Sequence, residues 1–358
     1  MIDKSFWKGR RVIVTGHTGF KGSWLCMWLH KLGAQVKGYA LEPPTTPSLF
    51  NEARVAELVE SEIGDIRDIK RVSQSIDDFQ PEIIIHMAAQ PLVRYSYDKP
   101  IETYATNVLG TAHVLEAAKK CDSVKAVINV TTDKCYENKE WVWAYRENEP
   151  MGGHDPYSSS KGCAELVTAS YRKSFFEKKG VGLASVRAGN VIGGGDWALD
   201  RLIPDILRAF EKDQPVVIRS PNAIRPWQHV LEPLGGYLKL AQALYQDPMS
   251  YSEGWNFGPN EGDVKSVSWI LDQMVSSWPN SSWHLDQSTK NPHEANYLKL
   301  DISKAKSKLQ WYPVWSLGET LSHIVSWHKN WLSGADMKKI SLNEISKYMQ
   351  SMDEIKNV

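Results

Sequence analysis

Apolar residues in the first half of the chain fall into short runs separated by stretches with helical periodicity. The runs at residues 11–15, 35–39, 59–63, 83–88, 126–131 and 182–187 are the length of strands. Between them, residues 24–32, 101–120 and 157–178 repeat their apolar positions as helices do. Apolar strands alternating with helices predict an α/β fold of Rossmann type, a doubly wound parallel sheet with right-handed crossovers. Beyond residue 190 the elements shorten to helices at 202–212, 232–245 and 266–277 and a strand at 216–219, with Gly and Pro between them. This predicts a smaller mixed α/β C-terminal substrate lobe. Residues 255–258 again read as a strand and turn, expected to return to the main sheet. The expected organisation is a dinucleotide-binding domain over 1–189 with return segments, a lobe over 190–332 and a surface tail over 333–358. The Pro-rich residues 42–47 read as a loop.

The first strand runs directly into Gly16-His17-Thr18-Gly19-Phe20-Lys21-Gly22 and then a helix. Strand, glycine turn and helix stand in the order that dinucleotide binding requires. Gly16 permits the tight turn, Gly19 permits close backbone approach to a pyrophosphate, and the helix N-terminus offers free N–H groups. No acid stands about twenty residues after the turn, where Gly38, Tyr39 and Ala40 occur, and no arginine follows closely to grip a 2′-phosphate. NAD is therefore expected rather than NADP.

A second motif, Asp155-Pro156-Tyr157-Ser158-Ser159-Ser160-Lys161, puts a tyrosine and a lysine four residues apart at a helix start. Positions i and i+4 share a helix face, and an ammonium there can lower a neighbouring phenol toward a useful base. Open parallel sheets bind ligands beyond the carboxyl ends of their strands. Ala88-Ala89-Gln90, Thr131-Thr132-Asp133-Lys134 and Asn190 all follow strands, so the candidate chemistry converges on one edge.

Composition narrows the partners. Lys plus Arg and Asp plus Glu number 42 each, which suggests neither nucleic acid nor an anionic membrane as partner. No apolar stretch has the length of a membrane span or secretory core. Four cysteines without C-x-x-C spacing read as free thiols of a reducing compartment, so a cytoplasmic protein is expected. The histidines are scattered, and His293-Glu294 lacks the second histidine of H-E-x-x-H, so no metal is expected. Most of the fifteen tryptophans are expected in the core or at subunit contacts.

The glycine turn and the Tyr157–Lys161 pair, with Asn107, Thr131-Thr132-Asp133 and Asn190, resemble the extended short-chain dehydrogenase/reductase family, and within it the nucleotide-sugar dehydratases. The resemblance runs from about residue 11 to residue 311. It implies NAD contacts from Gly16, Gly19, Phe20 and Gly22 at the pyrophosphate and Asp65 and Ile66 at the adenine. It further implies Ala88, Ala89 and Asn107 at the middle of the cofactor, and Tyr157 and Lys161 at the nicotinamide ribose. His17 and Lys21 depart from the smaller or apolar residues common in that loop, and put bulk and charge beside the phosphates. The resemblance makes Thr132, Asp133, Lys134, Tyr157 and Lys161 catalytic. Tyr157 would take the sugar C4 hydroxyl proton, Asp133 would protonate a departing C6 hydroxyl, and Lys134 would act at C5.

Lysine at 134 resembles the members acting on CDP-glucose, whereas those acting on dTDP-glucose or GDP-mannose usually carry glutamate. Alternatively, Lys134 merely pairs with Asp133. Substrate contacts are expected from Gln90, Asn190, Leu202, Ile203 and Arg225, while Arg187 is equally readable as structural or substrate-binding. Helices 101–120 and 157–178 would pair between subunits, giving a homodimer or homotetramer. The competing readings are a nucleotide-sugar 4-epimerase, which has no use for a C6 acid and C5 base, and a catalytically silent NAD-sensing scaffold.

Overall fold

The computed structural model describes residues 2–286 and 297–355. Seven strands form one parallel sheet: β1 (Arg11–Thr15), β2 (Gln35–Ala40), β3 (Glu60–Ile63), β4 (Ile83–His86), β5 (Ala126–Val130), β6 (Gly182–Ala188) and β7 (Gly254–Phe257). Their order is β3-β2-β1-β4-β5-β6-β7, and every neighbouring pair is parallel. The doubly wound expectation holds, and the late run does return, as β7 beside β6. Strands β4, β5 and β6 are buried at every position. Helices on both faces exclude water, which is why these strands read as unbroken apolar runs. The edge strand β3 is half-exposed and polar, and its Glu60 and Glu62 hold Lys37 of β2 at 3.0 and 3.1 Å.

One face is covered by α1 (Phe20–Lys31), whose Trp24 and Trp28 are fully buried, and by a later helix spanning Leu231–Gln246. The other is covered by α2 (Ile69–Phe79), α3 (Gly110–Lys120) and α4 (Pro156–Tyr171). Strand β4 ends at His86, two residues before the expected limit. The Met87 amide is shared between the Thr15 carbonyl and hydroxyl, at 3.2 and 3.0 Å, and the Ala88 amide turns to that hydroxyl at 3.1 Å, which ends the ladder.

The smaller lobe has its own core, where Ile206, Leu207 and Phe210 of α5 (Leu202–Glu211) meet Trp227, Ile270 and Met274. The helix Leu231–Gln246, here α6, belongs to the main sheet rather than to this lobe. The lobe also holds α7 (Val267–Ser276) and α8 (Leu317–Leu332), the latter begun by a reciprocal Ser316–Glu319 cap.

The segment expected as a surface tail is a packed helix, α9 (Met337–Ile355). Its Ile345 and Tyr348 are completely buried, and the Tyr348 hydroxyl donates to Glu232 of α6 at 2.7 Å. Charged residues on its outer face obscured the apolar stripe that docks it, and each such buried side chain stabilises by about 1.5–3 kcal/mol. No described helix is long and apolar enough to cross a membrane. Among the described residues no cluster of His, Cys, Asp or Glu is arranged to hold a metal, and His293-Glu294 lies outside them.

Candidate active site

The glycine turn closes on itself for steric reasons. Gly16 has φ +79°, and a Cβ there would lie 2.8 Å from the Ala88 amide nitrogen. A Cβ on Gly22 would lie 2.1 Å from the Gly16 carbonyl oxygen. Only glycine permits this packing, which brings the start of α1 against the end of β4. Gly19 is the N-cap of α1 and has no side chain to cap it, so the first amides of the helix remain available for an anion.

His17 does not point at that position. Its buried ring hydrogen-bonds Ser61 Oγ at 2.7 Å, lies edge-on to Phe50 and occupies the space over Gly38, where a Cβ would meet it at 2.2 Å. Burial brings its pKa down to about 4, so it is a neutral packing group rather than bulk beside the phosphates. Lys21 instead extends to the Tyr237 hydroxyl at 3.3 Å. Burial and the charges of Lys161 and Arg201 bring it down to about 7, so it shares a field with the Tyr157–Lys161 helix.

Several residues expected to touch ligand spend their side chains elsewhere. Asn107 donates to the Gln90 carbonyl and Ser160 Oγ and accepts from the Gln90 amide, fixing the loop after β4 to α4. Gln90 is itself committed to Thr103 and the Leu92 amide. Asp65 is bound to Arg67, and Ile66 is buried against Gly110. Ile203 lies in the lobe core with Leu202 packed against it, so neither is a polar ligand group. Arg187 is structural: it grips Glu165 through Nε and Nη2 at 2.9 and 2.8 Å.

The remaining candidates converge. Asp155 caps α4 by accepting from the Ser158 amide at 2.9 Å, and Pro156 takes the first turn. This sets Tyr157 and Lys161 one turn apart, both buried. Thr132 follows β5, donates to Asp133 Oδ1 at 3.0 Å and is among the groups that pull the Tyr157 phenol down. Asp133 Oδ2 is buried and has no hydrogen-bond partner among the described residues. Burial pushes this carboxyl up, against the pull of Lys134, Thr132 and Arg225. Lys134 is half-buried beside it.

The lobe approaches through Gly189, where a Cβ would collide with the Pro226 ring at 2.3 Å and sit 3.2 Å from Asp133 Oδ2. That contact delivers Arg225 to the Asp133 side, and half-buried Asn190 follows it. Arg201, not singled out from the sequence, stands just before α5, pairs with Asp196 at 3.0 Å and pulls the Tyr157 phenol down. An arginine before the Leu202-Ile203-Pro204 segment was the available signal.

The phenol does not behave as the i+4 spacing suggested. Burial raises Tyr157 to about 12, and the side chains that shift it most are Thr132, Asp133, Arg201 and Asp155. The Lys161 ammonium is occupied by the Val130 carbonyl at 3.2 Å, and burial lowers it to about 8. The site therefore gathers a phenol, a buried carboxyl and two lysines at the carboxyl end of β5, a set suited to moving protons at adjacent carbons.

The family described as GDP-mannose 4,6 dehydratase matches residues 13–324, and the chain belongs to it. Within that class the chain is similar to the CDP-glucose 4,6-dehydratase of Salmonella typhimurium, with 63% identity over 98% of this chain and 99% of the relative. It is also similar to the dTDP-glucose 4,6-dehydratase of Haemophilus influenzae, 25% identical over 88% of this chain and 97% of the relative. Among solved structures it resembles a Bacillus cereus UDP-glucuronic acid 4-epimerase in complex with UDP-glucuronic acid and NAD. That likeness has a TM-score of 0.77 and 25% identity, covering 90% of this chain and 99% of that one. A Bacillus anthracis dTDP-glucose 4,6-dehydratase in complex with NAD shares the fold at a TM-score of 0.73 and 20% identity, covering 90% and 97%.

Proposed function

We propose that this protein is an NAD-dependent nucleotide-sugar 4,6-dehydratase that converts CDP-glucose to CDP-4-keto-6-deoxyglucose. The observation that carries this reading is the 63% identity, over almost the whole of both chains, to a CDP-glucose 4,6-dehydratase. The meeting of Thr132, Asp133 and Lys134 with Tyr157 and Lys161 at one sheet edge supports it.

NAD fits the glycine turn, whose close packing leaves the amides at the start of α1 for its pyrophosphate. Residues 65–66 would face the adenine, Ala88 and Ala89 the middle of the cofactor, and Tyr157 and Lys161 the nicotinamide ribose. Asn107 serves by holding the 88–90 loop. Bound there, NAD supplies the hydride acceptor for oxidation at C4 and the hydride donor for reduction at C6.

The protein's own residues move the protons. Thr132 and Tyr157 act on each other electrostatically and would receive the C4 hydroxyl between them, with Tyr157 taking its proton. To do so near neutrality the phenol must come down from about 12. Lys161, one turn along, is placed to lower it once the ammonium swings from the Val130 carbonyl. A ketone at C4 acidifies the C5 hydrogen, which Lys134 removes as base. Asp133, whose carboxyl burial pushes upward, would give a proton to the departing C6 hydroxyl. Arg225 and Asn190 would grip the diphosphate, for which a guanidinium is well shaped.

Exposed Ile101, Leu109 and Leu166, at 80%, 56% and 61%, give the two long helical segments an apolar outer face suited to pairing copies into a homodimer or homotetramer. The activity belongs in the cytoplasm, in supply of dideoxy sugars for bacterial surface O-antigen polysaccharide. The test is incubation with NAD and CDP-, dTDP-, UDP- or GDP-glucose side by side, scoring 4-keto-6-deoxy product. Product from CDP-glucose alone supports the reading, and product from none of them overturns it.

A further inference from the structure

Behind the catalytic segment lies a buried ion pair whose connections reach both ends of that segment. Glu165, one turn beyond Lys161 on α4, and Arg187 of β6 are each about 5% exposed through their side chains and paired at 2.8 Å. Glu165 accepts from Arg187 Nε and Nη2 and from the hydroxyls of Ser185 and Thr131. Arg187 Nη1 donates onward to the Tyr136 hydroxyl at 2.7 Å and the Glu147 carbonyl at 3.0 Å. The Tyr136 hydroxyl donates to Asn256 Oδ1 at 2.8 Å, and Asn256 Nδ2 donates to the carbonyls of Tyr145 and Asp301. Thr131 immediately precedes the stretch that carries Thr132, Asp133 and Lys134, and Tyr136 follows it after Cys135.

The geometry points to Glu165, Arg187 and Tyr136 as positioning residues that hold the elimination groups, Asp133 and Lys134, in register with the oxidation groups on α4. This deepens the dehydratase reading and rests on it. A buried pair of charges is rarely retained for stability alone, since its desolvation offsets much of its attraction. Here the pair is fully hydrogen-bonded and joins the loop after β5, the helix carrying Tyr157 and Lys161, and the loop reaching β7. Oxidation needs only Thr132 and α4, which the Thr131–Glu165 link serves. Elimination also needs the far end of the loop, which is fixed through Tyr136. Displacement of about an ångström at reacting groups is enough to cost orders of magnitude in rate.

The gentlest test is Tyr136→Phe, which removes one hydroxyl and keeps the ring stacked on Tyr145. Release of 4-keto-6-deoxy product should fall about tenfold or more, with KM for CDP-glucose nearly unchanged. The rapid rise in reduced-nicotinamide absorbance on mixing with CDP-glucose should persist, and the melting temperature should stay close to that of the unaltered protein. Glu165→Gln should slow both the absorbance rise and product release, because it loosens Thr131 and α4 together. Tyr136→Phe with unchanged turnover, or with oxidation and elimination reduced equally, overturns the assignment even if Glu165→Gln fails to fold. The unaltered protein is run alongside, and its failure to dehydrate CDP-glucose would count against the proposed function rather than against this network.

Discussion

Lys161 Nζ donates to the carbonyl of Val130 at 3.2 Å, so the ammonium of α4 rests on the last residue of β5. The strand end and the helix start are thereby locked together at the point where Thr132 begins the catalytic loop. Burial leaves the Tyr157 phenol at about 12 and the ammonium at about 8. On this arrangement activation of the phenol is a step that accompanies ligand binding.

Replacing Tyr157 with Phe tests that role. Tyr157→Phe should lower turnover by about 10² or more, the scale of lost general-base catalysis, while CDP-glucose binding stays nearly intact. Turnover at the level of the unaltered protein would remove Tyr157 from the mechanism.

Lys134 is assigned to elimination rather than oxidation. Lys134→Ala should still reduce NAD when CDP-glucose is added, yet release little 4-keto-6-deoxy product and exchange the C5 hydrogen with solvent slowly. Normal elimination by this variant would return Lys134 to the role of partner to Asp133.

A pH effect on stability follows from Glu232. Burial raises its carboxyl from the usual range to about 7, although it accepts from the amides of Val314 and Trp315 and from the Tyr348 hydroxyl. Because the folded state binds this proton more tightly than the unfolded chain, stability from this group is full below about pH 4.5. It is lost as pH rises through about 7, by about 3 kcal/mol at most. Glu232→Gln carries no such charge. Its melting temperature relative to the unaltered protein should therefore rise between about pH 5 and pH 8, and a constant difference across that range would contradict the assignment.

Much of this was legible because the physics is local. The strands showed as apolar runs, and Gly16, Thr132, Asp133, Tyr157 and Lys161 declared themselves by standing at strand ends and a helix start. Sequence spacing could not show where long side chains go. Lys161 turned to a backbone carbonyl, His17 through Nε2 to Ser61 Oγ, and Asn107 to the loop after β4, each giving a polar group a partner that burial would otherwise leave costly. Arg187 and Glu165 lie 22 residues apart, and only the pairing of β5 with β6 beneath α4 brings them together. The docking of the last helix did not show because its buried Ile345 and Tyr348 are spaced among charged residues.

The central claim is an internal transfer of hydrogen from C4 to C6 with loss of water, and CDP-glucose deuterated at C4 tests it most directly. The account predicts that the label appears at C6 of the 4-keto-6-deoxy product. Label retained at C4 in a sugar of inverted configuration would contradict it and indicate an epimerase.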